Sequence, residues 1–405
     1  MTMSSKSEHS FHYLWRDKNE VKLLVDSPRI FPSMLAAIYT ARNFILFEMY
    51  LIQSGQIVDK FIAAFLLAAQ RGVKIYLLFD AFGAGSFSSK DHKRLENENI
   101  ELEYYNPIKL GELRRGLFRN HRKLLVVDNK TVFVGGIGIT DVFDHESNQK
   151  LYWRETVLQI QGSCIEDWID LFKSTWLLTT KRGLQLKHPT MERVTNEYIN
   201  DEQLDKDPVA KNVLGRLTLA KGPGKQEIKR SFINRVRRAK KCVWVATAYF
   251  MPSLKVRREL ARAARRGVEV SLILPGSHID HPAVRHAGRR FYLSLLNAGV
   301  NIYEYQPRFM HQKVLLCDNW VSIGSSNLDR WNFRWNLEAN QEIEDAEFVK
   351  KVIGMLQKDR AESQHIQLSD WKRRPFRLRV LTWFWGGVDI WLDSYIRKQL
   401  LKKKK

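Results

Sequence analysis

The chain has 405 residues, 44% hydrophobic and 27% charged, which excludes a disordered polymer and leaves room for two domains of ordinary size. Its net charge of +22 points to a polyanionic partner, either nucleic acid or a bilayer rich in anionic lipid. Cys164, Cys242 and Cys317 stand in no paired or metal-like spacing, so neither a disulfide scaffold nor a zinc site is indicated.

In chain order, the first twenty residues lack the apolar core of a signal peptide, and the expectation is that they are retained. The apolar run from Met34 to Ile52 is interrupted by Arg42 and Glu48, and that from Val380 to Leu392 falls short of the roughly 20 residues a span needs, so no transmembrane helix is expected. FILFEMYLI at Phe44–Ile52 reads as a strand, and AAQRGVKIYLLFD at Ala68–Asp80 as a helix end, a turn and a second strand. NIELEYYNP, ending at Pro107, is a third. HRKLLVVD at His121–Asp128 follows, then a turn and another apolar segment ending in Gly135-Gly136.

Beyond a polar stretch from Thr179 to Lys229, which resembles a connector, the pattern returns. VWVATAYFM at Val243–Met251, AARRGVEVSLILP at Ala263–Pro275, VNIYEYQP ending at Pro307 and HQKVLLCD at His311–Asp318 repeat the first series in order. Strands alternating with helices in both copies predict an α/β fold of duplicated units, each a mixed sheet flanked by helices, related by a pseudo-two-fold axis around one shared site. The expected division is a first half at 1–180, a connector at 181–229, a second half at 230–370 and a basic, aromatic C-terminal segment at 371–405.

Each repeat carries His-x-Lys at the start of a β-prone run, so His121 and Lys123, like His311 and Lys313, project to one face of a strand. Two imidazoles and two ammonium groups facing each other suit a phosphodiester. One neutral imidazole attacks phosphorus, the protonated one supplies a proton to the leaving alkoxide, and the lysines hold the non-bridging oxygens. Because the lysines already supply the cations, this chemistry calls for no metal and no cofactor.

His121-x-Lys123-x4-Asp128 with Gly135-Gly136, and His311-x-Lys313-x4-Asp318 with Gly324-Ser325-Ser326-Asn327-Leu328-Asp329-Arg330 and Asn336-Leu337-Glu338, carry a resemblance to the phospholipase D superfamily. Within it the chain looks like the bacterial cardiolipin synthases that lack N-terminal membrane helices, over most of Lys22 to Glu342. The resemblance implies His121, Lys123, Asp128, His311, Lys313 and Asp318 as catalytic residues, with His121 the nucleophile of a phosphatidyl-histidine intermediate and His311 the general acid. It further implies that Ser325 and Asn327 contact phosphate and that Glu338 orients His311. By internal analogy Glu155 would orient His121, and Gly135 and Gly136 would lend a glycine-rich turn to phosphate binding. One departure stands out: the family's Asn after the first motif is Gly138 here.

SHIDHPAVRHAGRRFY at Ser277–Tyr292 precedes the second motif and reads as the rim of the site, not as a metal site. In the C-terminal segment Trp383, Phe384, Trp385, Trp391 and Tyr395 alternate with Arg374, Arg377, Arg379, Arg397 and four terminal lysines, a composition suited to an anionic lipid interface. The expectation is therefore a peripheral enzyme at the cytoplasmic face of the cell membrane, taking phosphatidylglycerol as substrate. Nucleic acid is the less favoured partner. A superfamily nuclease, a hydrolytic phospholipase D and a non-catalytic membrane scaffold are the competing readings.

Overall fold

The structure is a computed structural model, and it describes residues 11–107, 115–184, 186, 209–222 and 224–388. The first repeat supplies β1 (Arg16–Val25), β2 (Phe44–Met49), β3 (Lys74–Asp80), β4 (Ile100–Tyr105), β5 (Arg119–Asn120), β6 (Lys123–Val127), β7 (Thr131–Gly135) and β8 (Thr156–Gln161). After β9 (Ala210–Lys221) come β10 (Lys225–Gln226), β11 (Cys242–Thr247), β12 (Glu269–Pro275), β13 (Asn301–Tyr305), β14 (Lys313–Cys317), β15 (Trp320–Gly324), β16 (Asn336–Glu344) and β17 (Ser363–His365).

Each β-helix-β step follows from local sequence. The six residues of β2 are all buried, as expected of a strand covered on both faces, and helix Gln56–Gln70 turns Ile57, Phe61, Phe65 and Ala68 inward at helical spacing. That helix ends at the Arg-Gly-Val turn, where Gly72 has φ +84; the second repeat makes the same turn with Gly267 at φ +85. A side chain would find open space at either position, so glycine is required for the left-handed backbone alone.

The ladder runs β4-β3-β2-β6-β7-β8 in the first repeat and β13-β12-β11-β14-β15-β16 in the second, with parallel and antiparallel pairs at matching places. The two series are joined through β8-β1-β9-β16, all antiparallel, so one mixed sheet crosses the molecule and the pseudo-two-fold axis passes between β1 and β9. β9 lies inside the stretch read from sequence as a connector. Its Val213, Leu217 and Leu219 are buried, and its charged residues include Arg216, which is masked by pairing with Glu342. The part of that stretch from 210 onward is thus the opening strand of the second repeat, the counterpart of β1; its polar composition hid the alternation.

Strand residues alternate between layers with period two. Leu124 and Val126 of β6 join a core that also takes Val314 and Leu316 of β14, together with Trp168, Phe172 and Trp176 from helix Ile165–Thr180 and Phe348 and Val352 from helix Ala346–Ala361. Leu125 and Val127 face an outer core belonging to the first repeat, and Leu315 and Cys317 one belonging to the second. Both repeats therefore bury residues against each other. At about 1.5–3 kcal/mol for each fully buried aliphatic or aromatic side chain, this shared layer is a main source of rigidity for whatever lies on the axis.

Candidate active site

The two His-x-Lys pairs enter β6 and β14 at corresponding positions, each anchored by the opposite repeat. The His121 N–H donates to the Leu337 carbonyl at 3.0 Å, β5 pairs in parallel with the start of β16, and the His311 N–H donates to the Arg154 carbonyl at 2.9 Å. Lys123 Nζ donates to the His121 carbonyl at 2.5 Å, and Lys313 Nζ to the His311 carbonyl. All four side chains are buried.

The carboxylates cross the axis. Glu155 Oε2 lies 2.7 Å from His311 Nδ1, and Glu338 Oε1 lies 2.9 Å from His121 Nδ1. This reverses the pairing expected from sequence, in which Glu338 served His311 and Glu155 served His121. The reason is topological: β5 sits beside β16, and Arg154 makes a bridge to Met310, so each imidazole is delivered next to the acid of the other repeat. The His311 contact is an in-plane hydrogen bond. The His121 contact is close, but its angle falls outside hydrogen-bond geometry.

Asp128 and Asp318 stand at the far ends of β6 and β14, about 20 Å along the strand from the imidazoles at ~3.3 Å per residue. Both have positive φ. Asp128 accepts from the backbone N–H groups of Arg42, Asn43 and Phe44, and Asp318 from those of Lys240, Lys241 and Cys242. The third member of each motif therefore fastens its strand to the neighbouring one and does not reach the reacting groups, which corrects the sequence reading of these two aspartates as catalytic.

Burial governs the site's protonation. Burial lowers the His311 pKa to about 3, helped by the Lys313 charge and opposed by Glu155, and burial also lowers His121. Burial depresses Lys123 to about 7, with Glu338 opposing and Lys313 reinforcing the shift, and lowers Lys313 likewise. Glu155 would be raised by burial, but Lys313 and His311 hold it below the usual carboxylate range. That Lys123, Lys313, Glu155 and Glu338 act on one another across the repeats places all six groups in a single cluster.

The two glycine-rich turns differ. Asn327 accepts from Thr247 Oγ1 at 3.3 Å, while its buried Nδ2 has no hydrogen-bond partner among the described residues. The Ser325 hydroxyl, expected to contact phosphate, instead donates to Glu338 Oε2 at 2.5 Å. On the first repeat a Cβ at Gly136 would lie 2.4 Å from Glu155 Oε2, and one at Gly135 2.4 Å from the Thr156 carbonyl. These glycines make room for the Glu155 carboxylate and for the neighbouring strand. A Cβ at Gly138 would lie 2.8 Å from the Leu51 carbonyl, so the space of the expected asparagine is filled.

Sequence reading missed the surroundings of the imidazoles. Tyr50 packs against His121 with ring centroids 4.6 Å apart and planes tilted by 59°, while Trp153, Phe143 and Phe309 box His311 at 5.3, 5.3 and 5.7 Å, which accounts for its desolvation. Arg154 bonds Asp359 and pairs with Asp26, Arg308 pairs with Asp26, and Gln312 bonds Asp359, a buried network that clamps the repeats beside His311. Tyr50 could have been found by its recurrence as Tyr249 in the repeated phrases; the aromatic box left no periodic signal.

The family described as "Cardiolipin synthase, PLD-like domain" matches residues 34–168 and 232–360. The chain is 29% identical over 353 residues to a probable cardiolipin synthase of Bacillus subtilis (strain 168), covering 86% of this chain and 67% of that protein. It is 30% identical over 367 residues to a cardiolipin synthase of Alkalihalophilus pseudofirmus, covering 90% and 70%. Among solved structures, phosphatidylserine synthase of Haemophilus influenzae Rd KW20 superposes with a TM-score of 0.68 at 16% identity over 93% of this chain and 94% of that one. Polyphosphate kinase of Porphyromonas gingivalis gives 0.51 at 15% identity over 84% and 50%. At such identities these two likenesses concern the fold.

Proposed function

The chain belongs to the cardiolipin synthase, PLD-like domain family, and we propose from that premise that it is a phosphatidyltransferase making cardiolipin from two molecules of phosphatidylglycerol. The observation that carries the reading is the pair of crossed carboxylates, each against an Nδ1, which leaves the Nε2 of each imidazole, with Lys313 Nζ 3.2 Å from that of His311, as the nitrogen for chemistry at phosphorus. His121 Nε2 attacks phosphorus, and the glycerol oxygen departs with a proton from His311 Nε2, leaving a phosphatidyl-His121 intermediate joined through a P–N bond. A hydroxyl of the second phosphatidylglycerol then transfers its proton to His311 as its oxygen bonds phosphorus and the P–N bond breaks.

Charge balance supports a protonated His311 when substrate is bound. Burial disfavours the positive charges of the site, depressing both lysines and both imidazoles, so an entering phosphodiester anion draws protons into this shared set of basic groups, the imidazole of His311 among them. Glu155 against Nδ1 stabilises that imidazolium. Asn327 Nδ2 and the lysines meet the charge that develops on the non-bridging oxygens. Asp128 and Asp318 act as positioning residues.

We place the enzyme peripherally at an anionic membrane surface, and its cytoplasmic face is part of the proposal. No helix among the described residues is long and apolar enough to cross a membrane. Residues 376–388 are helical, and Phe376, Val380, Trp383 and Phe384 form one exposed face, Phe376 at 75% and Trp383 at 79%, next to Arg377 and Arg379. Trp385 turns inward against the second repeat's core, and the Gly386 carbonyl accepts from Arg290. Trp391, Tyr395, Arg397 and the terminal lysines lie outside the described residues.

Mass spectrometry of the lipids formed from labelled phosphatidylglycerol tests the transfer reading. Cardiolipin and glycerol are expected, and phosphatidate alone would reassign the protein as a hydrolase. Single-stranded DNA in the same assay checks the nuclease alternative and is expected to stay intact. Sedimentation with vesicles containing phosphatidylglycerol should weaken on Trp383→Glu, and equal binding by the variant would remove the helix from the interface.

A further inference from the structure

The rim segment Ser277–His281 contributes a carboxylate that the reaction above does not use. Tyr249 Oη donates to Asp280 Oδ2 at 2.5 Å, and His281 Nε2 lies 3.7 Å from the same oxygen. Oδ1 accepts no hydrogen bond from any described residue, and the side chain keeps 21% of its surface exposed. The Tyr249 ring lies 6.3 Å from that of Phe309, which is 5.7 Å from His311, and the Asp280 charge is felt by Lys313.

An acid beside a site for an anionic diester opposes substrate charge and needs another reason to be there. Support for the tyrosine is not that reason. Tyr50 occupies the equivalent place in the first repeat, and no described residue hydrogen-bonds its hydroxyl, so the fold tolerates this tyrosine without a carboxylate. The asymmetry matches the chemistry instead. With His121 attacking phosphorus in line, the leaving alcohol departs on the His311 side, and the acceptor alcohol must enter by that same side.

We infer that Asp280, held by Tyr249, forms the headgroup subsite of the His311 side and accepts a hydrogen bond from the hydroxyl of a vicinal diol while the adjacent hydroxyl reacts. This rests on the phosphatidyl-transfer reading. It adds the substrate class: a polyol alcohol with a second hydroxyl next to the reacting one, of which glycerol and the phosphatidylglycerol headgroup are examples.

The test is the partition of the phosphatidyl-enzyme, formed from unlabelled phosphatidylglycerol, between isotope-labelled glycerol and 1-propanol supplied together, with only label-bearing phosphatidylglycerol counted as product, since a product ratio is independent of how fast the intermediate forms. Wild-type protein should favour the diol, and Asp280→Asn should lower the ratio of phosphatidylglycerol to phosphatidylpropanol by about tenfold, the size expected for losing a hydrogen bond to a charged group. Tyr249→Phe keeps the carboxylate and should change the ratio by less than about threefold. An unchanged ratio in Asp280→Asn overturns the inference, as does an equal loss in Tyr249→Phe, which would mark the pair as structural. A wild-type protein that leaves labelled phosphatidylglycerol uncleaved defeats the transfer reading itself, a result distinct from an altered ratio.

Discussion

The two repeats share strand order, turn geometry and motif, yet they surround their imidazoles differently. The His121 side has a single tilted ring partner, the half-buried Tyr50, and a carboxylate, Glu338, steadied by the Ser325 hydroxyl; the His311 side has an aromatic box and a carboxylate, Glu155, seated in the space left by Gly136. Duplication thus preserved the framework that brings the groups together while the immediate contacts diverged, which is what the two unlike roles proposed for them, nucleophile and proton donor, require.

The comparison breaks most visibly at the imidazoles. Replacing either with alanine should lower cardiolipin formation by at least about 10³-fold, but the variants should part on a donor with a good leaving group such as nitrophenol. His311→Ala is expected to recover most of its cleavage rate there, whereas His121→Ala recovers none; the opposite result would exchange the two roles. Next come the crossed acids, where Glu155→Gln and Glu338→Gln should each cost on the order of 10²-fold in kcat. If the crossing governs function, Glu155→Gln alone should be relieved by the good leaving group, because it disables His311. Relief in Glu338→Gln would sink that assignment.

Smaller effects separate the two turns. Asn327→Ala should reduce kcat/KM by roughly 10- to 100-fold through loss of an unpaired donor, measured in steady-state assays. Gly138→Asn should not add a matching donor; the Leu51 carbonyl stands in its way, and a thermal melt should report destabilisation of about 1–3 kcal/mol. A neutral or more active Gly138→Asn would show that the first turn can open.

Smallest is a pH effect on stability. The unfolded chain binds a proton at His311 below about 6.5, while the folded site refuses it down to about 3, so the unfolded state gains protons first and stability falls as pH drops through that window. The slope from this residue is at most about 1.4 kcal/mol per pH unit. Denaturant melts at pH 7 and pH 5 should show a smaller difference in His311→Ala than in wild type.

Much of this was legible in sequence because it is local or repeated. Apolar strand runs, the Arg-Gly-Val turns and the spacing of His to Lys fix which residues share a face, and recurrence marks them as one unit copied. The crossing of Glu155 and Glu338 was not legible, since it depends on β5 meeting β16, a contact between segments more than 200 residues apart. Nor was β9: its neighbours in the chain are polar, and only pairing with β1 and β16 reveals it as central. The filled space at Gly138 and the engaged hydroxyl of Ser325 are steric and angular facts that residue identity does not carry.

The reciprocal anchoring of the imidazoles binds the two copies to a common fate. A fragment holding only one of them retains a histidine whose acid was left behind on the missing piece, so severed halves would regain turnover only by reassembling. Selection must then act on matched positions in opposite copies, leaving the remaining surfaces free to drift apart.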